Sequence, residues 1–501
     1  MDFFLNKLRD KENWPVLAGC LLAIVSLLVN SVDFLAFAAL VECFIVLFII
    51  YRCRFGIVSI PTIFVILTYL FHCSQFLLNA LNVEYEKPLD INLLVGDDTS
   101  EFVLRYSMAV MLCIGIGLFL SAKRNPIRKI NGHKRVVLTE YRFCTMLGKL
   151  LIVACVLPRL YTDILMALAY LNGGYLATFE VANSGILQVW ASGFYIGAIF
   201  LLIGKQSDKA FCTKLLIFVC IYSAVTMLSG RRQEKVSYLI ALVFLYFRYI
   251  GSKSVKKKQW RNLIFACVLG YVLLVLIATF GDLRQTGSTS IVDFLSILLD
   301  NLKLRMLTSQ IGEFGGTGIS LAFAKWFFPS YHGFNCGKTY LSSLLTVFPN
   351  IGGMLNGILT SLDYIFFFPS EYQYALGGSY LGELYFNFGV FGPVFGVIIG
   401  LALGKMSITI NKCMCGRLTV NRLHWFLLIS PLILWVRGVF VYFVRPYIWF
   451  SAFIILAWIL EEKYALITVI DKKLDFARLG LWVKEKWKKL IHKNQTDDEQ
   501  N

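Results

Sequence analysis

Long apolar runs alternate with short polar segments along most of this 501-residue chain. Because the hydrocarbon core of a bilayer is about 30 Å thick, a helix that crosses it needs about 20 mainly apolar residues. The pattern therefore predicts an all-α polytopic membrane protein with about 12 transmembrane helices. The predicted spans are Trp14–Val29, Phe34–Ile50, Ile57–Leu78, Phe102–Leu120, Leu150–Tyr170, Ile186–Ile203, Leu215–Leu228, Val236–Ile250, Leu263–Phe280, Leu384–Leu403, Leu423–Val439 and Tyr447–Leu460.

Basic residues occur in alternate loops between these runs, and this asymmetry predicts the orientation of the chain. The basic loops are Arg52–Arg54, Lys123–Lys149, Lys205–Lys214, Lys253–Arg261 and Lys405–Arg422. Loops rich in Lys and Arg stay on the cytoplasmic side of a membrane, so both termini are expected in the cytoplasm. The intervening loop 79–101 is mainly acidic, as expected for the opposite side.

Composition supports the membrane class and limits the partners. The chain is 57% hydrophobic and 16% charged, with a formal net charge of +17. Because the basic residues lie in short loops between apolar runs, they indicate topology, and no nucleic-acid partner is expected. The 13 cysteines lie mostly in apolar segments or basic loops, which implies no disulfide framework. Cys413-Met414-Cys415 lacks a second ligand pair, so no metal site is expected.

A long segment rich in glycine, aromatic residues and charge follows the ninth predicted span. Residues 1–280 are expected to form an N-terminal bundle of about nine spans, and residues 281–383 a large extracytoplasmic loop. Residues 384–460 then form about three C-terminal spans, and residues 461–501 a charged cytoplasmic tail. Within the loop, apolar positions at helical spacing predict an amphipathic helix over Ile291–Ile311 and a shorter one over Asn350–Leu362.

Arginines in segments predicted to lie outside are candidates for a binding site, because cations are disfavoured in outer loops. The guanidinium fork matches two phosphate oxygens at once, so a lipid-linked pyrophosphate at the outer leaflet is the expected ligand. The candidates are Arg231 and Arg232 after the seventh span, Arg284 and Arg305 in the large loop, Arg437 and Arg445 around the last outer turn, and Arg159 in the fifth span.

Simpler explanations exist for some of these arginines. Asp163 follows Arg159 by one helical turn, so an ion pair explains Arg159 as well as a ligand does. Arg231 and Arg232 can pair with Glu234 or with lipid headgroups. Two adjacent cations on the outside nevertheless favour a functional role for this pair.

A transferase that activates a sugar hydroxyl needs a carboxylate or histidine near the arginines. Glu383, Glu313 and His332 are the candidates by location, and a solvated or ion-paired surface group is the alternative for each. The sequence contains no P-loop, no Ser-His-Asp arrangement and no Asp-x-Asp motif. A cytoplasmic nucleotide-sugar transferase is therefore disfavoured, and no cofactor is expected.

Two stretches of the chain resemble a known family. The first opens a span with the sequence Leu228-Ser229-Gly230-Arg231-Arg232. The second runs into a later span with the sequence Gly377-Gly378-Ser379-Tyr380-Leu381-Gly382-Glu383-Leu384-Tyr385-Phe386-Asn387-Phe388-Gly389. Together with the many spans and the large outer loop before the last few, they resemble the bacterial O-antigen and capsule repeat-unit polymerases of the Wzy type. The second stretch is the more specific of the two.

The resemblance implies a membrane glycosyltransferase of the bacterial cytoplasmic membrane, with an architecture similar to the GT-C class. Such polymerases transfer the growing glycan from one undecaprenyl pyrophosphate carrier to the non-reducing end of a new lipid-linked repeat unit. The product is O-antigen, capsule or exopolysaccharide. The implied partners are undecaprenyl-pyrophosphate-linked oligosaccharide, membrane lipids, and a flippase and chain-length regulator.

Two other functions share the general architecture. A flippase or transporter of lipid-linked saccharide places its charged site near the bilayer midplane and often shows two similar halves. Here the unusual charges concentrate in one asymmetric outer loop, which disfavours that alternative. An O-antigen ligase shares the span count and the large outer loop, and it is kept as an alternative function.

The predicted orientation is tested by labelling engineered cysteines. In a Cys336→Ser background, Gly230→Cys and Lys303→Cys are expected to react with a membrane-impermeant maleimide from outside, since both segments are predicted to face outward. The matched control, Lys257→Cys in a basic loop, should react only after the membrane is permeabilised. Labelling of positions 230 and 303 only from within the cell would contradict the topology.

Overall fold

Helices and turns make up the described part of the protein, and no strand occurs there. The computed structural model describes residues 14–85, 90–124, 138–180, 185–227, 233–250, 290–302, 304–348, 350, 353–359, 362–373 and 377–465, with eight further positions from 268 to 283. The predicted all-α class is confirmed for these residues.

The helices of the N-terminal part follow one another with short connections. They are α1 (Trp14–Leu28), α2 (Val32–Arg52), α3 (Ile60–His72), α4 (Ser74–Ala80), α5 (Ile91–Val95), α6 (Asp97–Arg124), α7 (Leu138–Glu180), α8 (Gly185–Gly204), α9 (Lys209–Met227) and α10 (Gln233–Leu245). Serine side chains cap the N-termini of two of these helices. Oγ of Ser31 caps α2 and Oγ of Ser59 caps α3, each by accepting a backbone N–H of the first turn.

The C-terminal part contains mainly short helices and two long ones. They are α11 (Ile291–Asp300), α12 (Leu304–Gly315), α13 (Gly318–Phe327), α14 (Lys338–Leu345), α15 (Asn356–Leu359), α16 (Tyr380–Phe388), α17 (Gly392–Lys412), α18 (His424–Leu427), α19 (Ile429–Trp435) and α20 (Val441–Tyr464). A single 3₁₀ turn at Gly389–Phe391 separates α16 from α17.

Seven helical stretches of the described chain are long and apolar enough to cross a membrane. They are Val32–Arg52, Asp97–Arg124, Glu140–Gly173, Ile186–Gly204, Lys209–Met227, Tyr380–Cys415 and Val444–Tyr464. The pair α3 and α4, bent by 56°, makes an eighth if it counts as one span. These helices coincide with predicted spans and indicate a multi-pass membrane protein. The total of about 12 stays a prediction, since α1 and Val420–Trp435 are shorter and most of the span predicted at Leu263–Phe280 lies outside the described residues.

A close helix crossing joins α6 and α17. A Cβ added to Gly400 would lie only 2.2 Å from the carbonyl oxygen of Ile114, and one at Gly117 would lie 2.2 Å from that of Val397. The two backbones therefore touch where both helices have glycine, as is common for helix pairs in membranes. This contact fixes α17, and with it α16, against the N-terminal bundle.

The segment 281–383, predicted to be a surface loop, is in part packed into the helical body. Every residue from Gly318 to Ala324 of α13 is buried, whereas exposed apolar residues occur in α11, in α14 and at several other positions of the segment. Oγ of Ser320 in α13 donates a hydrogen bond to the carbonyl of Gly377 at 2.9 Å. The middle of this segment therefore supports the start of α16.

The prediction of one continuous amphipathic helix over Ile291–Ile311 is wrong. The structure has two helices there, because α11 ends at Asp300 and α12 begins at Leu304. Asn301 forms the C-cap of α11, and its backbone N–H donates to the carbonyls of the last turn. Apolar periodicity continues across the break, so the pattern alone did not reveal it. The shorter helix predicted over Asn350–Leu362 is reduced to the four residues of α15.

The crossing of α6 and α17 is tested by adding one methyl group. Gly400→Ala is expected to destabilise the protein by about 2 kcal/mol, because the new Cβ overlaps a backbone carbonyl that cannot move away alone. The measurement is the thermal midpoint of the purified protein in detergent. Gly357→Ala is the control, since its surroundings are open. Equal midpoints for the two variants would contradict the close crossing.

Candidate functional site

The segment Gly377–Gly389, which is the stretch that resembles the polymerases, is held near its start by Ser379. Oγ of Ser379 caps α16 by accepting two backbone N–H groups of the first turn. The same Oγ lies 2.6 Å from Nε2 of His72, the last residue of α3. Every residue of Tyr380–Asn387 is buried. The segment is therefore part of the core, and it fixes the position of Glu383.

Glu383 has hydrogen-bond donors at both carboxylate oxygens. Oε2 accepts from the backbone N–H of Phe440 at 2.9 Å and from Nε1 of Trp435 at 3.3 Å. Oε1 accepts from Oγ1 of Thr339 in α14 at 3.3 Å. The residue is 0% exposed. Because a buried carboxylate needs donors for its oxygens, this side chain joins α14, α16 and the turn between α19 and α20.

Arg437 lies in that turn, between two of the groups that Glu383 binds. Its carbonyl accepts a hydrogen bond from Nε2 of Gln233, the first residue of α10, at 2.7 Å. Its guanidinium carbon lies 5.8 Å from the centre of the Phe71 ring. A Cβ added to Gly377 would lie 3.4 Å from Nε of Arg437. Arg437 therefore sits between the start of α10 and the glycine pair that precedes α16.

A second buried group of charges, here called the Arg159 network, surrounds Arg159 in α7. Its guanidinium makes two hydrogen bonds with Asp163, at 2.8 and 3.0 Å, which is the ion pair that the spacing predicted. Nζ of Lys235 lies 3.2 Å from the same carboxylate, and the hydroxyl of Tyr222 donates to it at 2.6 Å. Glu234 lies 3.6 Å from Arg159. Two cations and two carboxylates thus neutralise one another.

The start of α10 connects the Arg159 network to Arg437. Lys235 of the network lies two residues after Gln233, whose side chain binds the carbonyl of Arg437. Nζ of Lys235 also donates to a carbonyl in the last turn of α9. The described residues on either side of segment 228–232 are therefore fixed relative to the turn that carries Arg437.

Arg445, the other candidate near the last outer turn, binds the large segment before α16. Its Nε donates to the carbonyl of Thr346, just after α14, at 2.6 Å. Nε1 of Trp449, one helical turn further along α20, donates to the carbonyl of Val347 at 2.8 Å. The helix α14 therefore contacts Glu383 near its start and α20 just beyond its end.

The other two candidates for acid–base chemistry lie in different surroundings. Glu313, in α12, accepts a hydrogen bond from Nε2 of Gln310 at 3.3 Å. Nδ1 of His332 lies 2.7 Å from the carbonyl of Gly333, and its ring centre lies 4.6 Å from that of Phe367. The structure thus gives Glu383, Glu313 and His332 three separate sets of neighbours.

The remaining arginine candidates have no described side chain. Arg231, Arg232 and Arg284 lie outside the described residues. Arg305 belongs to α12, but its side chain is also outside the described part of the chain. Their predicted roles in binding an anion stay predictions.

Aromatic residues, predicted to suit sugar faces or the membrane interface, pack largely against one another. The ring centres of Phe328 and Phe386 lie 4.4 Å apart, and those of Phe327 and Tyr372 lie 5.2 Å apart. Tyr331 and Phe366 are more than half exposed. Phe328 and Phe386 are buried and belong to the core around α16, whereas Tyr331, Phe366 and Tyr372 are exposed to a ligand or lipid.

Several residues of the site were missed by the sequence analysis. Thr339, Gln233 and Trp435 belong to no recognisable sequence motif. Only Trp435, two residues before the candidate Arg437, stood near a residue that the sequence had singled out. Asp363 was also missed as a structural residue: its Oδ2 accepts from the hydroxyl of Tyr442 at 3.3 Å. Burial raises the pKa of Asp363 above its ordinary value, and its hydrogen bonds oppose that shift.

The site offers cations and hydrogen-bond donors for an anion. Within the described ranges, no three His, Cys, Asp or Glu side chains are grouped so as to hold a metal ion. Arg437 carries its guanidinium group in the turn between α19 and α20, and Arg445 carries its guanidinium group near the start of α20. Such groups suit phosphate oxygens, which they bind two at a time.

These features define a multi-pass helical membrane protein with buried ion pairs and arginines around one turn. The sequence matches the O-antigen polysaccharide polymerase Wzy family over residues 15–465, so the chain belongs to that family. The resemblance stated from the two stretches is therefore confirmed. Membership indicates a glycosyltransferase-type polymerase of O-antigen repeat units. The comparisons with curated proteins and with solved structures returned no match.

The Arg159 network is tested by removing its central carboxylate. Asp163→Ala is expected to destabilise the protein by about 3 to 5 kcal/mol, because it leaves Arg159 and Lys235 buried with less compensating charge. The thermal midpoint in detergent should fall sharply. The control, Asp33→Ala on the exposed face of α2, should melt near the wild type. If both variants melt together, the network does not stabilise the fold.

Proposed function

We propose that this protein joins undecaprenyl-pyrophosphate-linked repeat units into a surface polysaccharide at the outer face of the cytoplasmic membrane. The family match over residues 15–465 is the observation that carries the proposal. The alternation of basic and acidic loops supports the outer location of the site. The polymer is O-antigen, capsule or exopolysaccharide, and the protein works beside a flippase and a chain-length regulator.

The reaction is a glycosyl transfer that needs no nucleotide. A hydroxyl at the non-reducing end of one lipid-linked unit attacks the anomeric carbon of the growing glycan. The bond from that carbon to the pyrophosphate oxygen breaks, and undecaprenyl pyrophosphate leaves with the bonding electrons. The hydroxyl proton passes to a base. Charge develops on the pyrophosphate, so fixed cations at that point lower the barrier.

Arg437 is the best supported ligand for the pyrophosphate. Its carbonyl is held by Gln233, and its side chain lies against Phe71 and Gly377. Arg231, Arg232, Arg284, Arg305 and Arg445 are proposed as further ligands from the sequence. Arg159 is bound to Asp163 in this structure, and its proposed part is to hold the start of α10 in place.

The base is proposed to be one of the three candidates, Glu383, Glu313 or His332. A base must come within hydrogen-bond reach of the hydroxyl proton. His332 is half-exposed and Glu313 is half-buried, so both are closer to solvent than the fully buried Glu383. This difference in access favours His332 and Glu313 for proton transfer.

The proposal is tested with purified protein and lipid-linked repeat units in detergent. The wild type should produce a ladder of carrier-linked polymers, which a transporter alone would not produce. Arg437→Ala is expected to lower kcat/KM by about 100-fold or more, through the lost stabilisation of the leaving pyrophosphate. The control Arg142→Ala, an exposed arginine of α7, should retain the ladder.

The adjacent arginine pair gives a second measurement of the same site. Arg231→Ala and Arg232→Ala are each expected to shorten the polymer and reduce its amount at normal expression. Unchanged polymer in both variants would remove the pair from the site. In a strain that lacks the gene, loss of chain extension indicates a polymerase, whereas finished polymer accumulating on its carrier would indicate a ligase.

A further inference from the structure

We infer that Glu383 is a positioning residue, whose carboxylate sets the direction in which Arg437 faces the pyrophosphate. This inference rests on the proposed function, because it assigns to Glu383 a role that acts through Arg437. It separates Glu383 from the two more accessible candidates for the base.

One oxygen of Glu383 binds both ends of the turn that carries Arg437. The helix α19 ends at Trp435, and Phe440 immediately precedes α20. Oε2 accepts Nε1–H of Trp435 at 3.3 Å and the backbone N–H of Phe440 at 2.9 Å. The first backbone N–H groups of a helix lack partners within it, so Glu383 supplies one for the start of α20. The four residues between these two points have little freedom to change direction.

The same segment of chain also contacts the turn through its backbone. A Cβ added to Gly378 would lie 3.1 Å from the carbonyl carbon of Gly438. A side chain at position 378 would therefore press on the turn at Gly438, which glycine avoids. Residues 377–383 therefore hold the turn at two points, by packing at Gly378 and by hydrogen bonds at Glu383.

The surroundings of Glu383 are those of a fixed acceptor. It is 0% exposed, and three donors occupy its two oxygens. A general base has to reach a substrate hydroxyl. Here the donors are an indole N–H, a backbone N–H and the hydroxyl of Thr339, all belonging to the protein. These hydrogen bonds suit a carboxylate that orients the groups bound to it.

The two oxygens have different partners, and this difference makes the role testable. The partners of Oε2 can only donate, whereas Thr339, at Oε1, has a hydroxyl that can also accept. A glutamine at position 383 can therefore place its carbonyl oxygen towards Trp435 and Phe440 and its amide towards Thr339. Such an amide keeps every contact of the turn but cannot act as a base.

The experiment compares Glu383→Gln with Glu383→Ala in the purified polymerase assay. A positioning role predicts a loss of about threefold in kcat/KM for Glu383→Gln and about 100-fold for Glu383→Ala, since displacing a charged group by about 1 Å can have that effect. Glu383→Ala should also raise the inhibition constant of inorganic pyrophosphate about tenfold. A purely structural role would leave the inhibition constant of correctly folded protein unchanged.

The coupling to Arg437 is measured in an Arg437→Lys background, where residual activity is retained. Because both residues act on the same interaction, Glu383→Ala should cost less than about threefold further there. If Glu383→Ala yields no folded protein, Trp435→Phe removes one donor to Oε2. It should lower kcat/KM in the wild type but not in the Arg437→Lys background.

The outcomes that would overturn the inference are distinct from failure of the proposed function. Equal, severe losses in Glu383→Gln and Glu383→Ala would indicate a base, and fully multiplicative effects with Arg437→Lys would indicate an independent role. Either result leaves the polymerase assignment intact. Absence of polymerisation by the wild-type protein, or full activity of Arg437→Ala, would instead contradict the proposed function or its anion site.

Discussion

Burying a carboxylate in a helical membrane protein is costly unless donors surround it, and the donors around Glu383 join distant segments of the chain. The oxygens of Glu383 bring together α14, α16, and the turn between α19 and α20. The same rule applies to Asp163, which two cations and a tyrosine hydroxyl surround. Removing one partner from such a group leaves an uncompensated polar atom in the interior, which is costly. These contacts therefore favour the observed packing of the helices over alternatives.

The segment before α16 has two physical roles because its parts differ in burial. Val292, Leu295 and Leu299 of α11 are exposed, as expected for a helix on a membrane surface. The helix α13 is buried and holds the carbonyl of Gly377 through Ser320. The helix α14 reaches Glu383 at one end and Arg445 at the other. A segment that resembles a loop in sequence is therefore partly a structural support for the arginines.

Local spacing was enough to predict some features of the site, and distant contacts were not predictable. The pair Arg159 and Asp163 followed from a four-residue spacing on one helix, and the structure contains it. The apolar runs likewise gave the positions of the long helices. The bonds from Glu383 to Trp435 and Phe440 span 52 and 57 residues, so no periodicity indicates them. The break between α11 and α12 was missed because the apolar pattern continues through it.

The two groups of charge differ in what holds them in place. In the Arg159 network, two carboxylates face two cations at hydrogen-bond or ion-pair distance, so its net charge is balanced within the fold. At Arg437, the backbone carbonyl accepts a hydrogen bond from Gln233, and the carboxylate of Glu383 binds the turn on either side of the residue. A balanced network suits a support, because a charged ligand would have to displace existing partners. A cation whose backbone is fixed by neighbours suits binding, because little reorganisation accompanies the arrival of an anion.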